Sequence, residues 1–156
     1  MDLEKLAERL LPGEYPSLES IEIRYPPRDL PAGAEVTRLA PSPTGFIHLG
    51  NLFVAIANER IAHLSGGTLY LRIEDTDLKR KVDGAVEAVI SALDYFDIRF
   101  DEGAEIDGSN AYGPYYQRQR AEIYRAYATD LIRRGRAYPC FCTEEELSAL
   151  RDEQVK

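Results

Sequence analysis

Apolar residues return every three or four positions in several stretches of the chain, and every second position in shorter ones. Leu3, Leu6, Ala7, Leu10 and Leu11 predict a helix over residues 1–12, stopped by Pro12-Gly13. Phe53, Ile56, Ala57, Ile61 and Leu64 predict a helix over 49–64, with that arc as its buried face, ended by Ser65-Gly-Gly67. Val86, Val89, Ile90 and Leu93 form the stripe of a helix over 83–95. Tyr124, Tyr127, Ala128, Leu131 and Ile132 do the same for 117–134, closed by Gly135. Thr143 followed by Glu146 is a capping box that opens a helix over 144–153.

Between these lie period-two runs. Residues 36–39 read as a short strand, and 68–73 as another, with Leu69, Leu71 and Ile73 on one side and Tyr70 and Arg72 on the other. Residues 137–141 read as a further strand, and 20–25, inside the proline-rich stretch 13–35, as a short edge strand. Residues 101–113, acidic and glycine-rich, read as a loop. Strand, helix and strand over 36–73 make a βαβ unit, so those two strands are expected to be parallel. The class is α/β: a parallel sheet with flanking helices. Residues 1–35 form a short N-terminal extension with a helix at its start.

The loop inside that unit is the most constrained part of the chain. Thr37-Arg-Leu-Ala-Pro-Ser-Pro-Thr-Gly-Phe-Ile-His-Leu-Gly-Asn51 starts as a strand, meets Pro41 and Pro43, turns through Gly45 and enters a helix near Gly50. Each proline fixes its own φ and biases the residue before it to extended shapes. A helix N-terminus carries unpaired N–H groups that attract anions. His48 stands where a ligand's phosphates would lie.

Composition narrows the classes. The chain has 156 residues, 44% hydrophobic and 29% charged, with a net charge of -8. That charge does not suggest nucleic-acid contact as the main task of these residues. No apolar run is long enough to span a membrane, and the first residues lack the pattern of a signal peptide, so a cytoplasmic location is expected. Cys140 and Cys142 are too close-set to suggest a structural disulfide with each other. As a thiol pair they could supply half of a tetrahedral zinc site.

In an open parallel sheet, ligands bind beyond the carboxyl ends of the strands. Two polar clusters fall there: 42–51 after the first strand and Glu74-Asp-Thr-Asp77 after the second. Arg38 lies just before the loop and is read as pointing inward. Its guanidinium keeps its charge and must find an anion, either a ligand or an internal partner such as Glu74 or Asp75. Asp75 and Asp77 read as loop and cap residues, and His63, late on its helix, as structural. A glycosidase-type pairing of Glu74 with Asp77 leaves the proline loop unexplained. No P-loop or Gly-x-Gly-x-x-Gly run is present.

Four motifs carry a family resemblance: Ala40-Pro-Ser-Pro-Thr-Gly-Phe-Ile-His-Leu-Gly50, Leu71-Arg-Ile-Glu-Asp-Thr-Asp77, Gly113-Pro-Tyr-Tyr-Gln-Arg-Gln-Arg120 and Tyr138-Pro-Cys-Phe-Cys142. In this order they resemble class I aminoacyl-tRNA synthetases of the glutamyl and glutaminyl group, over residues 36–156. The first corresponds to the His-Ile-Gly-His signature, with Asn51 in place of its second histidine. The resemblance implies a Rossmann-type (HUP-like) fold and an incomplete nucleotide-binding domain. Residues 1–35 would be an extension, 36–138 the first half of the catalytic domain and 139–156 the start of a connecting insertion.

It also implies roles. His48 would be catalytic, steadying charge as pyrophosphate leaves, with Pro41, Thr44, Gly45, Gly50 and Asn51 around the ATP. Arg38 would clamp the side-chain carboxylate of L-glutamate and Glu74 its α-ammonium, with Ala40 and Ser42 lining the same pocket. Asp77 could instead touch the acceptor end of tRNA. Arg118, Arg120, Arg125, Arg133, Arg134 and Arg136 form either a solvated basic face or a contact for the acceptor stem. ATP and Mg²⁺ are the expected cofactors, and zinc could join Cys140 and Cys142 to ligands elsewhere. The full-length enzyme is expected to be a monomer that activates glutamate and charges tRNA. The second class I signature is absent from these residues, which are expected to be inactive alone. Two other readings stay open: a glutaminyl-tRNA synthetase or the glutamyl-queuosine-type paralogue that modifies a tRNA base, and a non-catalytic binding module.

Overall fold

A computed structural model describes residues 2–45, 47–77, 79–80, 82–106 and 111–155. Phe46 of the proline loop and residues 107–110 of the expected loop 101–113 lie outside the described residues. The chain divides into two compact units, Tyr15–Tyr124 and Met1–Glu14 with Arg125–Lys156.

The larger unit holds a three-stranded parallel sheet in the order β1 (Val36–Leu39), β2 (Thr68–Leu71), β3 (Glu102–Gly103). Arg38 pairs with Tyr70, Leu39 with Leu71, and Leu71 with Gly103. The Rossmann-type α/β class expected from the alternation of elements is therefore what forms. β2 is two residues shorter than its apolar alternation suggested, and Ile73 continues it only as a bridge to Tyr116. Leu69, Leu71 and Leu93 are fully buried, and Ile73 nearly so. Val89 and Leu93 come from α4 (Ala85–Tyr95), whose expected stripe is the one that faces the core.

The crossover from β1 to β2 is α3 (Leu49–Leu64), and here the buried face differs from expectation. Phe53 and Leu64 are 72% and 82% exposed, whereas Ala55 and Ala62 are fully buried. Two small residues seven apart lie on one face two turns distant, where they let the helix approach the sheet closely. Thr37 Oγ1 donates to the Asn58 carbonyl at 2.8 Å across that contact. The turn into β2 is equally tight: a Cβ on Gly67 would lie 1.8 Å from the Glu35 carbonyl oxygen.

The expected edge strand at 20–25 is a helix, α2 (Leu18–Arg24). Ser17 caps it, accepting from Ser20 N–H at 3.1 Å, and Ile21 is its buried residue. The alternation of Ile21 and Ile23 suggested a strand, but the serine cap favours the helix. Residues 117–120 form a 3₁₀ turn ahead of α5 (Ala121–Arg133).

In the smaller unit, α1 (Leu3–Leu10) is capped by Asp2, and Arg133 of α5 pairs with Glu4 at 2.6 Å. The buried residues of α5 are Ala126, Thr129 and Ile132, while Tyr127 and Leu131 of the expected stripe are more than 40% exposed. The strand expected over 137–141 does not form. Pro139 lacks an N–H to donate to a ladder, and Tyr138 and Phe141 are each 85% exposed. The capping box of Thr143 and Glu146 forms as expected and opens α6 (Glu144–Gln154). No helix of the described residues is long and apolar enough to cross a membrane.

Candidate active site

Prolines 41 and 43 have no N–H to donate, so the loop after β1 ties itself down through carbonyls. Pro41 O accepts Glu74 N–H at 2.9 Å, and Pro43 O accepts Val82 N–H at 3.0 Å. Leu39 O accepts Arg72 N–H at 3.0 Å. The loop is thus laced to the segment that follows β2, and the two polar clusters are neighbours as the parallel pairing predicts.

A cavity of about 380 Å³ opens above this lacing. Ala40, Pro41, Ser42, Thr44 and Gly45 line it from the loop. His48 and Asn51 line it from the start of α3, with Ile47 and Val89 as its apolar floor. Of the residues expected around a nucleotide, Gly50 alone is not in the wall. A Cβ on Gly50 would come within 3.0 Å of the His48 ring, so glycine leaves room for that side chain.

His48 is the cap residue of α3 itself. Its Nδ1 accepts Gly50 N–H at 3.2 Å, and its backbone N–H donates to Asn51 Oδ1 at 3.3 Å. With Nδ1 accepting, the neutral ring carries its proton on Nε2. The donor that His48 can present to a ligand is therefore Nε2–H. Asn51 has a defined local task, completing the capping box of the helix.

Arg38 and Glu74 do not line the cavity but meet each other beside it. Arg38 Nη1 stands 3.7 Å from Glu74 Oε1, and the Arg38 side chain is 39% exposed, not turned inward. Arg72, one turn of the pleat away on β2's continuation, donates from Nη2 to the same Oε1 at 2.9 Å. Sequence reasoning passed over Arg72. The available signal was its position two residues before Glu74, on the side of the strand opposite the apolar Leu71 and Ile73.

Several of the other charged candidates have partners within the protein. Asp75 Oδ1 accepts Arg118 N–H at 2.9 Å and so caps the 3₁₀ turn. Asp77 accepts from the backbone of Lys79 and Arg80 and pairs with the Arg80 side chain at 2.6 Å, which holds its carboxyl below the ordinary range. Arg120 donates to the carbonyls of Tyr112 and Pro114 and lies over the Tyr25 ring, so it staples the chain rather than joining a free basic face. Arg134 pairs with Asp130. His63 bridges Glu59 and Asp101 at 2.9 and 3.0 Å, a structural setting that raises its pKa, first through the bond to Glu59.

Cys140 and Cys142 are free and exposed. Two thiols fall short of the four donors that a structural zinc site needs, and no group of three or more His, Cys, Asp or Glu side chains suited to a metal occurs among the described residues.

Comparison with known proteins matches residues 35–156 to the family described as tRNA synthetases class I (E and Q), catalytic domain. A glutamate–tRNA ligase of Acetivibrio thermocellus is 57% identical over 99% of this chain, which covers 29% of that protein. One from Clostridium perfringens strain 13 is 52% identical over 99% of this chain and 29% of its own length. The chain thus spans under a third of these curated relatives. Among solved structures, a glutamate–tRNA synthetase from Elizabethkingia anophelis matches with TM-score 0.68 and 39% identity, over 77% of this chain and 24% of that one. A glutamate tRNA ligase from Elizabethkingia meningosepticum, solved in complex with its amino acid, matches with TM-score 0.65 and 40% identity, over 76% and 23%.

Proposed function

This chain belongs to the class I tRNA synthetase family for glutamate and glutamine, and we propose that its cavity and the ion pair beside it are the nucleotide and amino-acid subsites of a glutamate–tRNA ligase. The observation that carries this reading is the Glu74 N–H to Pro41 O bond. It joins the Arg38–Glu74 pair to the wall of the His48 cavity, and this adjacency supports the reading that one aminoacyl-nucleotide reaches both.

In this reading the full-length protein holds L-glutamate by its side-chain carboxylate on Arg38 and its α-ammonium on Glu74. The free α-carboxylate attacks the α-phosphorus of ATP, forming glutamyl-adenylate and releasing pyrophosphate. The glutamyl group then passes to a hydroxyl of the terminal adenosine of tRNA, and AMP leaves. The enzyme forms no covalent bond to substrate. Its work is alignment and stabilisation of charge on phosphate oxygens. His48 Nε2–H is the donor for that charge, its ring held by Gly50 N–H on Nδ1, with Pro41, Thr44, Gly45, Gly50 and Asn51 shaping the nucleotide site. Ala40 and Ser42 line the approach to the amino acid.

Mg²⁺ enters with the nucleotide. The described residues assemble no acidic cage for it, so no step is assigned through it. Zinc at Cys140 and Cys142 needs donors from outside the described residues. Residues 36–138 would be the first half of the nucleotide-binding domain, 139–156 the start of an insertion and 1–35 an extension. A cytoplasmic monomer that takes up tRNA completes the proposal.

The test is glutamate-dependent pyrophosphate exchange by the full-length protein. His48→Ala is expected to lower its rate by about 10²-fold or more, the usual cost of one donor to developing charge. An unchanged rate removes His48 from the nucleotide site. For residues 1–156 alone, calorimetry with a non-hydrolysable glutamyl-adenylate mimic separates a retained site from a non-catalytic module, which would fold and give no heat.

A further inference from the structure

Two guanidinium groups converge on one carboxylate at the edge of the cavity. Arg72 Nη2 donates to Glu74 Oε1 at 2.9 Å, within hydrogen-bond range, and Arg38 Nη1 stands 3.7 Å from the same oxygen, beyond it. The Arg72 side chain is 17% exposed and that of Arg38 39%. The Arg72 Nε–H is buried without a hydrogen-bond partner among the described residues. The two arginines are therefore not equivalent. One is sheathed and bonded, and the other is open and loosely held.

The cluster carries two positive charges and one negative. A guanidinium does not shed its proton, so an uncompensated cation remains. An amino acid with an acidic side chain carries two carboxylates and one ammonium. Its side-chain carboxylate answers the spare cation, and its ammonium answers Glu74. Both present contacts use Oε1, so an incoming ammonium has Oε2 to approach.

We propose that Arg72 is the positioning residue of the amino-acid subsite: it holds Glu74 in place so that Arg38 can leave Glu74 for the carboxylate of the substrate. This inference rests on the subsite assignment above. Before substrate arrives, Arg38 and Glu74 occupy each other's binding capacity. Substrate exchanges that internal pair for two pairs of its own, while the Arg72–Glu74 bond persists. An uncharged analogue offers Arg38 no carboxylate, so it gains less from the exchange. Without Arg72, Glu74 has Arg38 as its remaining guanidinium partner, and the internal pair closes both subsites together.

The test uses pyrophosphate exchange by the full-length protein, with glutamate and ATP varied separately. Arg72→Gln is expected to raise the glutamate KM by about tenfold or more, with the ATP KM within about twofold. Because Arg72 acts through Glu74, the double variant Arg72→Gln/Glu74→Gln should match Glu74→Gln alone within about twofold. Multiplying effects, or an unchanged glutamate KM in Arg72→Gln, would overturn the proposal. If Arg72→Gln fails to fold, Arg72→Lys carries the test, because it keeps the charge and loses the planar fork. A rise in the glutamate KM alone supports the proposal, and no change overturns it. A Glu74→Gln variant with unaltered glutamate KM would instead remove the subsite assignment itself.

Discussion

Glu102 and Glu74 both stand against the same small sheet and both face arginine, yet they are built in opposite ways. Glu102 opens β3 with a side chain 9% exposed. Arg28 grips both its oxygens, with Nη2–Oε2 at 2.8 Å, and the Tyr115 hydroxyl donates to Oε2. The Arg28 guanidinium also lies 3.8 Å from the centre of the Tyr112 ring. Burial pushes the Glu102 carboxyl up, but the bonds from Arg28 and Tyr115 outweigh it and hold the group below the ordinary range. Burial, then the bond to Glu102, pushes the Tyr115 hydroxyl well up. Each partner there is satisfied by another, which leaves little to offer a ligand. Glu74, 30% exposed, has one tight contact and one loose one, with a cation in excess. A closed set of charges holds a fold together, whereas an open set beside a cavity can bind.

The contrast breaks most sharply at Glu102. Glu102→Ala strands the Arg28 charge among buried groups and is expected to cost about 3 kcal/mol of stability, read from the urea midpoint. The glutamate KM of the folded full-length protein should not move. The carboxyl is held low, so its stabilisation is present above the ordinary carboxylate range and lost as pH falls through the lowered value. An acid unfolding midpoint that is the same in Glu102→Gln and the parent would contradict this.

At the open site the outcome should invert. Arg38→Ala is expected to raise the glutamate KM by about 30-fold or more, because a bidentate partner for a carboxylate is lost. Its stability should stay within about 0.5 kcal/mol of the parent, as for other half-exposed ion pairs. Equal rises in the glutamate and ATP KM values would take Arg38 out of the amino-acid subsite.

The smallest effect belongs to His63, a third charged cluster of intermediate kind. Both ring nitrogens contact carboxylates, so the bridge is complete only when both carry protons. Its pKa is raised above 6.5, so its contribution is full below that value and fades as pH rises through the raised one. Thermal melts should show the parent losing its advantage over His63→Asn across that window, by about 1 kcal/mol or less for a partly exposed pair. A constant gap from low to high pH would mean that the bridge does not depend on charge.

Much of the βαβ unit was legible because its signals are local. Pro41 and Pro43 restrict the chain wherever they stand, and Thr143 with Glu146 caps a helix from three residues away. The carboxyl-end rule for parallel strands put residues 42–51 and Glu74 together before any coordinates. Other features were not legible. Ile21 and Ile23 alternate like a strand, whereas the segment folds as a helix capped by Ser17. The apolar arc of α3 pointed to Phe53 and Leu64, while close approach to the sheet selected Ala55 and Ala62.

What the chain's own order of residues determined is the set of elements, the shape of the proline loop and the family motifs. These depend on φ restrictions, side-chain periods and caps that act over a few positions. What only the tertiary structure decided is partnership. Arg28 finds Glu102 across 74 positions, His63 finds Asp101 across 38, and Arg72 joins Arg38 on a single carboxylate oxygen. Charge and hydrogen bonding act over a few ångströms of space, and only the packed chain sets which distant residues come that near.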